Sequence, residues 1–98
     1  MKADFDTVEK AVRAIAEGEM IVVADDDDRE NEGDLIMAAS KATPEAVAFM
    51  IRHTSGILCA PLLEEQANAL HLDPMVARND APMSTAFTVS IDYKKGLT

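Results

Sequence analysis

The period of apolar and polar positions changes along the chain, and each change predicts an element. Val8, Ala11, Val12 and Ile15 recur at helical spacing, with Asp6 as a capping residue before them and Gly18 as a stop after them. The spacing predicts a helix running from Asp6 to about Glu17. Residues 20–24 are a short, apolar, β-branched run, which predicts a buried strand, and residues 35–39 predict a second one. Thr43 and Pro44 open another helix, Thr43 as cap and Pro44 in the first turn. Val47, Met50 and Ile51 give that helix an apolar face, and Gly56 ends it. Residues 57–61 predict a third strand and residues 63–70 a short helix. Asp73-Pro74 and residues 79–82 are turn material. Phe87, Val89 and Ile91 alternate with Thr88, Ser90 and Asp92, the signature of a half-buried strand. The expected class is α/β or α+β, a mixed sheet with helices packed on it.

Charge adds a local feature to this pattern. The 98 residues carry a net charge of −9, and 28% of them are charged against 48% hydrophobic. Between Asp25 and Asp34 lie seven acids and one arginine, so −6 of that charge falls in ten residues. A chain of this sign is repelled by phosphate backbones, which makes nucleic acid and anionic membrane poor partners. No apolar run approaches membrane-spanning length, and the N-terminal residues have no signal-like core. Cys59 is the sole cysteine, so no internal disulfide can form, and a reducing cytoplasm is the expected location. Only 4% of residues are aromatic, so Met20, Met37, Met50, Met75 and Met83 are expected to fill core space beside the aliphatic residues.

The acidic string sits between two predicted strands, where crowded carboxylates repel one another unless a cation or solvent relieves them. Hard oxygen donors suit Mg²⁺ or Mn²⁺. Arg29 adds a fork able to hold a phosphate or a polarised carbonyl. Gly33 is expected to let the backbone turn sharply or approach a ligand. A calcium-binding loop does not fit: counted from Asp28, the twelfth position is Ala39, where a bidentate Glu is required. On composition alone, a solvated acidic turn and a divalent-metal site both remain open.

The order of residues goes further. Asp28-Arg29-Glu30-Asn31-Glu32-Gly33-Asp34 after an apolar strand closely resembles the signature of 3,4-dihydroxy-2-butanone 4-phosphate synthases. The likeness continues in Arg52-His53-Thr54-Ser55-Gly56-Ile57, in Cys59, in Pro74-Met75 and in Thr85-Ala86-Phe87-Thr88-Val89-Ser90. That family converts ribulose 5-phosphate to 3,4-dihydroxy-2-butanone 4-phosphate and formate with Mg²⁺, as a homodimer. The resemblance implies that residues 1–98 are the first half of the family's domain. A second half would carry an Arg-x-Gly-His-Thr segment with another metal ligand, and a further Glu. The sequence ends at Gly96-Leu97-Thr98 without a closing element, which reads as an interruption.

By position, the resemblance makes Glu30 the metal ligand and makes Arg29, Glu30 and Asp34 substrate-binding residues. Glu32 becomes the candidate for proton transfer, with Asp34 beside it among the catalytic residues, and Cys59 a residue lining the site. Thr85 and Thr88 can offer hydroxyls to substrate, although the polar face of a strand carries Thr in any case. Arg52, His53 and Ser55 read as ordinary helix-end residues, the first two complementing the dipole. His71 reads as a surface residue. A second reading stays open: a non-catalytic acidic module, binding metal or a partner, that retains only the first half of the site.

Overall fold

The computed structural model describes residues 4–80 and 85–96. Its elements are α1 (Val8–Ala16), β1 (Ile21–Ala24), β2 (Gly33–Ile36), a 3-10 turn (Ala39–Lys41), α2 (Pro44–His53) and α3 (Glu64–Ala69). The chain divides into two units, Met1–Ala60 and Pro61–Thr98.

In the first unit, α1 begins one residue later than the sequence suggests. Thr7 is the cap, its Oγ1 accepting the Lys10 amide at 3.2 Å. Asp6 instead pairs with Lys10 Nζ at 3.0 Å, one helical turn away. The short hydroxyl of Thr7 reaches an orphan amide of the first turn, while the Asp6 carboxylate is drawn to the ammonium. Gly18 ends the helix in the left-handed region at φ 84°, donating to the Ile15 carbonyl. Ala11, Ala14 and Ile15 form the half-buried stripe, whereas Val8 and Val12 are exposed. Ala11 and Ile15 of the predicted face are thus retained, and Ala14 joins them in place of Val8 and Val12.

β1 and β2 pair antiparallel, with Ile21 opposite Ile36, Val22 opposite Leu35, Val23 opposite Asp34 and Ala24 opposite Gly33. Helices combined with a sheet match the expected class, and among the described residues this sheet has two strands. The second strand starts two residues earlier than predicted and ends at Ile36, because Ala39–Lys41 coils into the 3-10 turn. Gly33 lies inside β2 rather than at a turn. What it supplies is space: a Cβ there would meet Val22 Cγ1 at 3.3 Å.

α2 follows the predicted signals closely. Thr43 Oγ1 accepts the Ala46 amide at 3.1 Å, Pro44 occupies the first turn, and Thr54 returns its amide to the Met50 carbonyl. Ala46, Val47 and Met50 are half-buried, but Ile51 is exposed. The predicted third strand over residues 57–61 is not formed. Strand hydrogen bonds need a neighbouring edge, and the described residues give this segment none.

The second unit holds α3, where Gln66 Oε1 accepts the Leu63 amide at 3.0 Å. Leu63 has no side-chain acceptor, so only this half of a capping box exists. His71 takes the left-handed position after the helix at φ 57°, and Leu72 donates to the Ala67 carbonyl at 2.9 Å. The predicted strand around Phe87 is reduced to one antiparallel bridge, Pro74 with Thr88. Met75 donates to Phe87 at 2.9 Å and Val89 to Asp73 at 2.8 Å. Thr88, expected on the polar face, is half-buried, and Phe87, Val89 and Ile91 are exposed. The expected turn over residues 79–82 is described only as far as Asp80, and Met83 and the last two residues lie outside the described residues. No described residue is fully buried, so the anticipated methionine-filled core is not closed among them.

Candidate active site

The acidic loop occupies the hairpin connection, residues 25–32, with Gly33 and Asp34 already in β2. The ladder runs one step past the strands: the Asp25 amide donates to the Glu32 carbonyl at 3.0 Å. Inside that step, the Arg29 and Asn31 amides both donate to the Asp26 carbonyl, at 3.1 and 3.2 Å. Asn31 sits in the left-handed region at φ 53° and reverses the chain. Asn tolerates this better than most residues because its short side chain bonds locally.

The side chains are ordered by one carboxylate. Asp25 Oδ2 accepts the Glu30 amide at 2.9 Å and Arg29 Nη1 at 3.1 Å. Arg29 Nη2 lies 3.3 Å from Glu30 Oε1. The guanidinium therefore bridges two carboxylates and relieves part of the repulsion in the loop. Desolvation acts to raise the Asp25 pKa. The Glu30 amide, the hydrogen bond and charge of Arg29 and the Asp26 amide together outweigh it, so the carboxyl lies below its ordinary value.

A shallow depression of about 220 Å³ opens beside this network, lined by Val23, Ala24, Asp25, Asp26, Arg29 and Asp34. The fold thus brings together two of the expected substrate-binding residues, Arg29 and Asp34. Asp34 gets there by register, since it stands opposite Val23 and shares its face. Glu30 contacts Arg29 from outside the lining, and Glu32 is exposed and holds the ladder through its carbonyl. Cys59 is exposed beyond α2 and is not part of the lining. Thr85 and Thr88 belong to the second unit. The Thr85 carbonyl accepts Asn79 Nδ2 at 2.9 Å, and Thr88 Oγ1 donates to the Val89 carbonyl at 2.9 Å. His53 stacks on Phe49 with ring centroids 4.5 Å apart, in keeping with a helix-end role.

Asp25 and Asp26 were not singled out by the sequence pattern. A signal was there for Asp25: Ile21, Val23 and Asp25 continue one period-two face, which marks the residue that leaves the strand on the side of Asp34.

The loop also bears on metal binding. Mg²⁺ keeps several waters and takes one or two carboxylates from protein. Glu30 and its neighbours supply hard oxygen donors of that kind. Among the described residues, no three His, Cys, Asp or Glu side chains converge as a metal cage. The donor set fits an open site completed by water and substrate oxygens.

Fold and loop together define an α/β protein whose hairpin connection carries an arginine among carboxylates. The family model described as 3,4-dihydroxy-2-butanone 4-phosphate synthase matches residues 9–98, and the chain belongs to that family. It is 60% identical over 94 residues to the riboflavin biosynthesis protein RibBA of Nocardia farcinica, covering 96% of this chain and 23% of the relative. A crystal structure of 3,4-dihydroxy-2-butanone 4-phosphate synthase in complex with two magnesium ions matches with TM-score 0.81 and 51% identity, over 88% of this chain and 40% of that one. A cation-free form of the synthase matches with TM-score 0.78 and 45% identity, over 97% and 42%. The chain spans about a quarter of the curated relatives it matches and under half of these solved chains. No helix among the described residues is long and apolar enough to cross a membrane.

Proposed function

We propose that this chain is the N-terminal portion of a synthase that converts ribulose 5-phosphate to 3,4-dihydroxy-2-butanone 4-phosphate and formate in riboflavin biosynthesis. The observation carrying the proposal is the placement of Arg29 and Asp34 in one depression, within a loop whose order matches the family. Glu30 holds Mg²⁺, or Mn²⁺ in its place, and a metal there would supply Lewis-acid polarisation of vicinal sugar oxygens. The Arg29 guanidinium binds anionic or carbonyl oxygen, and the Asp34 carboxylate accepts hydrogen bonds from sugar hydroxyls. Glu32, exposed to solvent, exchanges protons with the substrate carbons and hydroxyls. Cys59, Thr85 and Thr88 are assigned to the wider lining on the family resemblance. The working protein is assigned as a homodimer on the same ground, and as cytoplasmic from its single cysteine.

One observation favours keeping the non-catalytic reading in view for the 98 residues by themselves. No described residue is buried, so nothing among them excludes water from the loop. The deciding measurement is formate release from ribulose 5-phosphate and Mg²⁺ by the complete protein, its Glu30→Gln variant and residues 1–98 alone. Activity in the complete protein, and its loss in the other two, is the expected result. Near-normal release from Glu30→Gln would return the loop to a solvated turn.

A further inference from the structure

Building on the proposed function, we infer that Asp25 is the positioning residue of this site, holding Arg29 and Glu30 in place through one carboxylate oxygen. Three observations meet on it. First, between Val22 and Asp34 every residue is exposed except Asp25, whose side chain keeps only 13% of its accessible surface. Second, its bonds go to three of the four loop residues that carry the proposed chemistry. Oδ2 accepts from the Glu30 amide and from Arg29 Nη1, and its own amide donates to the Glu32 carbonyl. Third, it lines the depression together with the fourth, Asp34. The surrounding acids differ. Asp27 and Asp28 are exposed and take part in none of these contacts.

The positioning runs through one oxygen. Oδ2 is shared by two donors, so a cation at that oxygen would compete with both. A carboxylate that orients neighbouring groups works at one remove, as partners behind metal ligands do, and its loss weakens binding more than the chemical step. Releasing the Glu30 amide lets the backbone under the metal ligand drift. Releasing Arg29 frees the guanidinium to collapse fully onto Glu30, its remaining partner. That collapse would withdraw the cation from substrate and the carboxylate from the metal together.

The test is steady-state formate release by the complete protein, with KM for ribulose 5-phosphate and the half-saturating Mg²⁺ concentration measured separately. Asp25→Ala is expected to raise both by about tenfold or more, in the 10–100-fold range for lost outer partners, with kcat at saturation within about threefold of wild type. Asp25→Asn keeps an acceptor for the Glu30 amide but no charge for Arg29. It should recover most of the Mg²⁺ shift while retaining the KM shift. A purely structural role would lower kcat through the folded fraction and leave both constants unchanged, and that result overturns the inference. Should Asp25→Ala fail to fold, the split between the two constants in Asp25→Asn decides alone. Normal constants in the Asp25 variants beside an inactive Glu30→Gln would refute positioning by Asp25 and spare the site. A normal Glu30→Gln would remove both.

Discussion

Two regions of this chain carry strand-like sequence and fold differently. Residues 21–36 close into a hairpin with a four-pair ladder and an ordered connection. Among the described residues of 73–91 there is a single bridge, although Phe87, Val89 and Ile91 alternate as cleanly as any strand. The difference is where the partner lies. β1 finds β2 across an eight-residue connection that organises itself through Asp25, Asp26 and Asn31, so the closure cost is small and locally offset. Among the described residues, the segment at Phe87 pairs with the turn at Asp73-Pro74, and Pro74 has no amide to give a ladder. Strand propensity without a committed edge yields exposed apolar residues.

The proposed function places its chemistry on the hairpin, and kinetics can break that assignment. Glu30→Gln in the complete protein should cut formate release by at least about a hundredfold, past the usual cost of an outer partner. Thr88→Val should leave kcat within about threefold, because the Thr88 hydroxyl is spent on the Val89 carbonyl. A Thr88 effect rivalling Glu30 would move the site's centre to the second unit. Next in size, Asp34→Asn should raise KM for ribulose 5-phosphate about tenfold, the worth of roughly one hydrogen bond to a charged group. An unchanged KM would show that Asp34 lines the depression without gripping the sugar.

Proton linkage sharpens the same contrast. Asp25 has its carboxyl held below the ordinary value of 3.8. Its contribution to the hairpin is therefore complete above the unfolded carboxylate range and is lost as pH falls through the lowered folded value. Acid titration followed through the β1 and β2 amides should show wild type unfolding at lower pH than Asp25→Asn. The gap should close once Asp25 of the wild type is protonated and resembles the neutral amide. Coincident curves would mean that the carboxylate does not hold the hairpin.

The smallest expected effect compares the two left-handed residues, one in each unit. His71→Gly should stabilise by about 0.5–1 kcal/mol, since a residue with a Cβ pays for φ 57° and glycine does not. Asn31→Gly should change stability by less than about 0.5 kcal/mol, because Asn already tolerates this region. Thermal melts of the two variants decide it, and a larger gain at Asn31 would show strain in the loop.

These residues also mark what the sequence made legible. Thr43-Pro44 opened α2 correctly because caps act on their nearest amides and need nothing distant, whereas the helix closes at Thr54, two residues before the expected Gly56. The acidic connection between two strands was readable for the same local reason, and so was the family, from the order of Asp28 to Asp34. Asp6 was misread by one residue, since a carboxylate and a hydroxyl competed for one cap and Lys10 settled the choice. The strand at residues 57–61 failed because pairing is a property of two segments. The rank of Asp25 among seven acids was hidden because it comes from ladder position, and composition treats the seven alike.

The segment from Ile57 to Ala60 has a practical consequence. Ile57 and Leu58 are 73% and 59% exposed, Cys59 is exposed beside them, and the segment makes no backbone hydrogen bond among the described residues. An apolar stretch whose amides and carbonyls are unpaired among the described residues is a template for another chain's edge. The exposed thiol of Cys59 can then lock such an encounter covalently under oxidising conditions. Anyone producing residues 1–98 should therefore meet disulfide-linked aggregates in oxidising buffer. A charge placed at Leu58 together with a serine at Cys59 is the pair of changes that should keep the preparation monodisperse.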